Sequence, residues 1–210
     1  MKKIIKKIAR KFGMLGVNFQ KRHKGVEKRW EILSEYLPEK ESWVLDIGSN
    51  YGDTSIRCAK MGHYTIGIEP FKEFFRSSHK KAFGRVAFMN ESASPDFFEK
   101  LIKFDVIFML SVFHRMWALN GPEYAKKCLK YSLQKSNIIL FEGSTRLERY
   151  NSNSKFELPD FNDLDIEASI LWHKSIFDKI CDKNWKIEYL GNVNHTKSEP
   201  YRILFKLERK

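Results

Sequence analysis

Two acidic residues that end apolar stretches, with a glycine turn after the first, are the residues in this sequence best suited to bind a small molecule. Asp46 ends the apolar stretch that starts at Trp43, and Gly48 and Gly52 follow it. Glycine lets the backbone approach a ligand closely, and a helix that begins after such a turn offers unpaired N–H groups. Strand, glycine turn and helix together are how an open α/β sheet binds a nucleotide-like ligand at its carboxyl edge.

The second acid, Glu69, ends the apolar stretch that starts at Tyr64 and lies 23 positions after Asp46. An acid at about this distance accepts hydrogen bonds from a ribose diol, because a carboxylate offers two acceptor oxygens. The spacing D-x-G-x-x-x-G differs from the dinucleotide pattern G-x-G-x-x-G, since Asn50 and Asp53 stand at the second and third glycine positions. Two alternatives stay open, a tight turn that binds nothing and a solvated acid at a strand end.

The turn from Asp46 to Gly52 resembles the first motif of class I S-adenosylmethionine-dependent methyltransferases. The resemblance implies S-adenosyl-L-methionine as the cofactor and S-adenosyl-L-homocysteine as its product. Asn50 departs from the family pattern, which often has a glycine at this position. The residues that the resemblance assigns to the cofactor lie at the ends of the first four strands: Asp46, Gly48, Asn50, Gly52, Glu69, Glu91, Ser92 and Ser111.

A second motif, from Leu110 to His114, together with Glu142, resembles a narrower group that includes the methyltransferase domains capping bacterial O-antigen polysaccharides. In this resemblance His114 is the candidate base for a sugar hydroxyl, and plain packing is its alternative role. Members usually have a second histidine where this chain has Arg115. A phosphate or carboxylate acceptor would need no base, and the cations available to hold it are Arg115, Arg146 and Arg149.

The order of apolar and helical stretches predicts an α/β fold. We expect a Rossmann-like, seven-stranded, mostly parallel sheet with helices on both faces and an antiparallel terminal hairpin strand. The stretch from Phe104 to Leu110 is typical of a central parallel strand, because every residue in it except Asp105 is apolar. A helix is predicted over Gly25 to Leu37, where Pro38 would end it.

Positive charge is concentrated at the start of the chain. The formal net charge is +12, and the residues up to Trp30 carry +10 of it. We predict a basic amphipathic leader over 1–24 and a methyltransferase domain over 25–210, in which 144–163 forms a candidate acceptor or lid loop. A basic amphipathic helix suits an anionic membrane surface or the phosphates of a nucleic acid, and packing on its own domain is the alternative.

Cysteine usage and hydropathy restrict the remaining possibilities. The three cysteines lie far apart without a C-x-x-C pair, which argues against a disulfide scaffold or structural zinc and favours a reducing compartment. The scattered histidines and acids lack metal-ligand spacing, so we expect no metal. No apolar stretch reaches the roughly 18 residues that a membrane span needs. The sequence therefore favours a cytoplasmic protein, peripheral to the inner face of the membrane if the leader binds lipid.

Three hypotheses follow for function. The leading one is O-methylation of a glycan or phosphoglycan near a membrane. The second is methylation of RNA, including its 5′-phosphate, with the leader binding phosphates. The third is a binding module that has kept the fold without the chemistry. A nicotinamide-dependent dehydrogenase ranks last because the dinucleotide pattern is absent. The oligomeric state is not indicated.

Overall fold

The structure, a computed structural model, describes residues 19–145, 147, 154–159, 161, 166–194 and 201–210. Within these residues seven strands form one sheet of order β3-β2-β1-β4-β5-β7-β6. The strands are β1 Trp43–Ile47, β2 Tyr64–Ile68, β3 Val86–Met89, β4 Phe104–Leu110, β5 Ser136–Ser144, β6 Trp185–Asn194 and β7 Tyr201–Arg209. The helices are α1 Phe19–Ser34, α2 Asp53–Lys60, α3 Lys72–His79, α4 Pro95–Lys100, α5 Phe113–Asn120, α6 Pro122–Lys135 and α7 Ile166–Ile180.

The sheet topology confirms the predicted fold. Strands β1 to β5 pair in parallel, and β7 pairs antiparallel with both β5 and β6. Side chains alternate between the two faces of a strand. Leu33 of α1 and Cys58 of α2 therefore share one face with Val44, while α4 to α7 pack on the other face around Phe141. The parallel pairing brings the carboxyl ends of β1, β2, β4 and β5 to one edge.

Two helices differ from the sequence-based prediction. The first helix begins at Phe19 and ends at Ser34, whereas the prediction placed it from Gly25 to Leu37. It ends before Pro38 because Tyr36 and Leu37 already form turn hydrogen bonds to the carbonyls three residues earlier. Helix α5 was not predicted, since its apolar residues continue almost directly from the apolar strand β4. None of the helices in the described part of the chain is both long and apolar enough to cross a membrane.

Buried histidine and aromatic side chains fill the space between β5 and α7. His173 is 1% exposed, and its Nδ1 lies 2.7 Å from the Ser169 carbonyl oxygen. Its ring packs edge-on against Phe141 and lies against Gly143, where a Cβ atom would come within 2.4 Å of Nε2. Burial lowers the pKa of His173 from 6.5 to about 4. The imidazole is therefore neutral in the folded protein at neutral pH.

This burial predicts a loss of stability in mild acid. Between pH 6.5 and 4 the unfolded chain binds a proton at His173 that the folded chain does not bind. The contribution of neutral His173 to the free energy of unfolding is therefore complete above pH 6.5 and is lost progressively towards pH 4. The loss from this group amounts to about 3 kcal/mol. Urea unfolding at pH 7 and pH 4.5 measures it. We expect the His173→Asn variant to be less stable at pH 7 but to lose less stability on acidification. An equal loss in both proteins would contradict the assignment.

Candidate active site

The glycine turn after β1 folds back over the end of β2. Gly48, Asn50 and Gly52 all have positive φ angles, of 70°, 50° and 82°. The backbone N–H groups of Gly48 and Ser49 both donate to the Ile68 carbonyl oxygen, each at 2.9 Å. Asn50 is one of the few residue types that enter this region of φ readily without being glycine. The turn is thus held against β2 by backbone bonds.

Glu69 joins this turn to the start of α3. Its carboxylate is buried and accepts the Asn50 N–H at 2.9 Å on one oxygen and the Phe71 N–H at 2.8 Å on the other. Burial raises the pKa of Glu69, and the two N–H bonds and the charge of Arg115 oppose that rise. Each oxygen keeps a second lone pair, so the group retains the capacity to accept a diol.

Asp46 organises the first turn of α2. It is buried, and its Oδ2 accepts the Ser55 hydroxyl at 2.6 Å. Burial raises its pKa to about 6, opposed by the bond from Ser55 and by the charge of Arg29. Asp46 therefore links the end of β1 to the first turn of α2.

Close packing requires glycine at three positions around the turn. A Cβ atom on Gly48 would meet Val112 Cγ2 at 2.7 Å, and one on Gly52 would meet the Phe88 ring at 2.5 Å. Gly67, inside β2, is equally constrained because its Cβ would lie 2.7 Å from the same ring. Sequence reasoning missed Gly67, although an isolated glycine within a strand pattern is a signal of close backbone approach.

The end of β4 carries a second strained residue, Ser111, with φ of 58°. Its N–H donates to the Glu142 carbonyl oxygen at 3.1 Å, and its hydroxyl donates to the Glu142 carboxylate. Glu142 is fully buried and also accepts from Arg29 at 3.0 Å, while Arg202 lies 4.0 Å away. Neither arginine was predicted as a site residue, because residues as far from Glu142 in sequence as Arg29, 113 positions away, and Arg202 give no local signal.

The two predicted catalytic residues lie in the first turn of α5. His114 is buried, and its pKa lies well below 6.5 because of burial and then the charges of Arg202 and Arg115. Arg115 is partly exposed, and its charge reaches Glu69. The charge of Arg115 thus reaches the acid after β2, whereas His114 is buried. The catalytic roles of both residues stay predictions.

Two of the predicted cofactor residues follow β3. Glu91 and Ser92 are exposed, and the Glu91 carboxylate accepts the N–H of Ser92 at 2.9 Å. Their neighbour Asn90 connects β3 to the site, because its side-chain amide donates to the Glu69 carbonyl oxygen at 2.8 Å. A contact of Glu91 or Ser92 with a cofactor stays a prediction.

Part of the predicted acceptor loop packs against α5. Leu147 and Leu158 are buried with Ala118, and the Trp117 indole N–H donates to the Glu157 carbonyl oxygen at 3.1 Å. Several predicted features lie outside the described residues: leader positions 1–18, Arg146, Arg149 and other parts of 144–163. Across the described ranges, no group of three or more histidines, cysteines or acids has the geometry of a metal site.

Comparison with known proteins identifies the fold. No protein-family model matches the sequence, and no curated protein matches it either. Solved structures do match. The crystal structure of WbdD, described as a bifunctional kinase-methyltransferase, is 19% identical with a TM-score of 0.66. That match covers 91% of this chain and 40% of WbdD, so this chain spans about two fifths of that protein.

Two further structures are similar over most of both chains. Magnesium protoporphyrin IX methyltransferase (ChlM) from Synechocystis PCC 6803, with bound SAH, is 17% identical with a TM-score of 0.65, covering 93% of this chain and 89% of that one. A SAM-dependent methyltransferase from Archaeoglobus fulgidus is 15% identical with a TM-score of 0.63, covering 88% and 93%. This chain therefore has the fold of class I SAM-dependent methyltransferases.

The packing around Gly52 predicts a specific cost for a side chain there. We expect Gly52→Ala to lower the free energy of unfolding by about 2 to 4 kcal/mol, from left-handed strain together with overpacking against Phe88. Gly84→Ala is the matched control, because Gly84 also has positive φ but no atom within 4 Å of an added Cβ. It should cost only about 1 kcal/mol. Urea unfolding of both variants measures the difference, and equal losses would refute the packing argument.

Proposed function

We propose that this chain is an S-adenosylmethionine-dependent methyltransferase. The observation that carries the proposal is the bond between the Asn50 N–H and the Glu69 carboxylate. It joins the glycine turn after β1 to the acid after β2, at the carboxyl edge where open α/β sheets bind nucleotide-like ligands. The fold, shared with the SAH-bound ChlM structure, supports the same ligand.

The residues around this turn fit the cofactor. Glu69 would accept the ribose hydroxyls on the lone pairs that its two backbone donors leave available. The turn from Gly48 to Gly52 would hold the methionine part through its backbone. Phe71, which is 40% exposed and adjoins Glu69, would flank the adenine. When bound, the cofactor supplies an electrophilic methyl group, and the task of the protein is to align the acceptor with it.

For the acceptor we propose an oxygen of a glycan or phosphoglycan, with the chain in the cytoplasm at the inner membrane surface. The likeness of the Leu110–His114 motif and Glu142 to the O-antigen-capping group supports this choice. WbdD, the bifunctional kinase-methyltransferase, matches over 91% of this chain. Arg115 would pair with an anionic acceptor. The basic leader would bring the chain to anionic lipid.

RNA is the second candidate acceptor. The residues up to Trp30 carry +10 of the net charge, which suits a phosphate backbone as well as a lipid surface. RNA affinity that falls steeply with salt, together with methyl transfer to RNA, would favour this alternative. Liposome flotation without RNA binding would favour the glycan.

Cofactor binding is tested by calorimetry with S-adenosyl-L-homocysteine. We expect the wild-type protein to bind and Glu69→Gln to bind at least about tenfold more weakly. In the variant, a Glu69 oxygen that would accept a hydrogen bond from the diol is replaced by an amide donor. Glu123→Gln is the control, since Glu123 is 85% exposed on α6. No binding by the wild-type protein at millimolar ligand would refute the proposal. Unchanged binding by Glu69→Gln would refute the role of that carboxylate.

The acceptor is tested by transfer of a labelled methyl group from S-adenosylmethionine to lysate fractions enriched in lipid, polysaccharide, RNA or protein. We expect label in the polysaccharide fraction or in lipid-linked glycan, and loss of that label with Glu69→Gln. Label in RNA would favour the alternative. Cofactor binding without label in any fraction would favour a binding module.

A further inference from the structure

Three parts of the fold meet at the carboxylate of Glu142. Ser111, after β4, donates its hydroxyl and its N–H to this residue. Arg29, on α1, donates to the other carboxylate oxygen at 3.0 Å. Arg202, on β7, lies 4.0 Å away. A carboxylate that is fully buried needs such partners, because an unpaired charge in the interior is very unfavourable.

The two hydrogen bonds from Ser111 to Glu142 stabilise Ser111 in a strained backbone conformation. Ser111 has φ of 58°, a left-handed conformation that residues other than glycine adopt at an energetic penalty. Such a conformation persists only where its surroundings enforce it. Here Glu142 accepts both the N–H and the hydroxyl of the strained residue.

The next residue transmits this conformation to the glycine turn. Val112 follows Ser111, and its Cγ2 lies 2.7 Å from the position that a Cβ on Gly48 would occupy. The β4–α5 turn and the β1–α2 turn therefore touch without room for a side chain. A change of backbone at Ser111 would move Val112 against or away from Gly48.

The position of Arg29 is itself restrained. Its helix contributes Leu33 to the core, and Glu27 of the same helix accepts from Arg57 of α2 at 2.9 Å. The Arg57 guanidinium also lies 5.8 Å from the ring centroid of Trp30. Helix α1 is thus attached to α2, and the Arg29 side chain is only 15% exposed.

We propose that Glu142 and Arg29 are positioning residues for the cofactor turn. Arg29 holds the Glu142 carboxylate, Glu142 holds Ser111 in its left-handed conformation, and Val112 then sets the place of Gly48. The inference rests on the proposed function for its ligand. Through Ser111 and Val112, the ion pair of Arg29 and Glu142 would therefore affect the position of the turn after β1.

Two substitutions at Ser111 separate conformation from contact. Ser111→Gly removes the hydroxyl but adopts φ of 58° without strain, whereas Ser111→Ala removes the hydroxyl and keeps the strain. On this proposal Ser111 acts through its backbone conformation, in place of the side-chain contact with the cofactor that the resemblance implies. We therefore expect the glycine variant to bind S-adenosyl-L-homocysteine within about threefold of wild type and the alanine variant about tenfold more weakly. Equal losses would mean that the hydroxyl itself contacts the ligand, which would overturn the positioning role.

Rescue tests the role of Glu142. Glu142→Gln keeps the volume of the side chain but removes the charge that pairs with Arg29, and we expect affinity to fall about tenfold. In the double variant Glu142→Gln with Ser111→Gly, affinity should return to within about threefold of wild type. Glycine adopts the left-handed conformation without strain and does not need Glu142 to maintain it. Thermal unfolding is measured in parallel. We expect the melting temperature to stay low in the double variant, because the buried cation remains unpaired.

Arg29 is tested by matched substitutions. Arg29→Lys keeps the charge and should retain most of the affinity, while Arg29→Met should behave as Glu142→Gln does and be rescued by Ser111→Gly. Glu188→Gln, on the terminal hairpin, is the control for removing a carboxylate that pairs with lysine. Loss of affinity in Glu142→Gln or Arg29→Met without rescue by Ser111→Gly would indicate general destabilisation and overturn the proposal.

Amide hydrogen exchange separates this proposal from the proposed function, because it needs no ligand. The peptide from Gly48 to Gly52 carries the N–H groups that bond to Ile68 and Glu69. We expect its exchange in the free protein to quicken about tenfold in Glu142→Gln and to return towards wild type when Ser111→Gly is added. If the wild-type protein binds no S-adenosyl-L-homocysteine, the proposed function fails while exchange still decides the positioning role. Unchanged exchange in Glu142→Gln would overturn the latter.

Discussion

Buried carboxylates at the carboxyl edge of the sheet hold the whole site together. The carbonyl oxygens of neighbouring strands accept some of the donors in the turns there, and three acids accept others: Asp46, Glu69 and Glu142. Burying a carboxylate is unfavourable, as the raised pKa values of Asp46 and Glu69 show. The hydrogen bonds and the nearby arginines offset that penalty. The turns at this edge therefore depend on the hydrogen bonds to the buried acids. A change in the charge of one of these acids would also change the conformation of its turn.

Neighbouring residues of strand β5 face the buried ion pair on one side of the sheet and the aromatic core on the other. Because side chains alternate across a strand, Glu142 lies on the face that carries Arg29, and Gly143 lies on the face that carries His173. The glycine leaves room for the imidazole, and the acid holds the serine after β4. Two adjacent residues thus serve two different environments. A shift of β5 by one residue would exchange them, so the sheet register and the site depend on each other.

The elements that the sequence revealed are those with a local signal. The apolar stretch from Phe104 to Leu110 predicted a central strand, and Asp46 and Glu69 were recognised as acids that each end an apolar stretch. Helix α5 was missed, since its apolar residues follow a strand without a glycine or proline between them. The pair of Arg29 and Glu142 was also missed. Glu142 was noted only as part of a family motif, and Arg29, 113 positions away, looks ordinary in its own helix. Tertiary contacts between charged residues leave no periodic pattern.

The electrostatics of His114 bear on the kind of acceptor. A general base works best when its pKa lies near the working pH. Burial, and after it the charges of Arg202 and Arg115, holds the pKa of His114 well below the usual value. The imidazole is neutral but weakly basic, so it would remove a proton from a sugar hydroxyl poorly. A phosphate or carboxylate oxygen needs no such proton transfer, and the partly exposed Arg115 would pair with it. A weakly basic His114 therefore suits the anionic acceptor proposed above, which needs no base, better than a neutral hydroxyl.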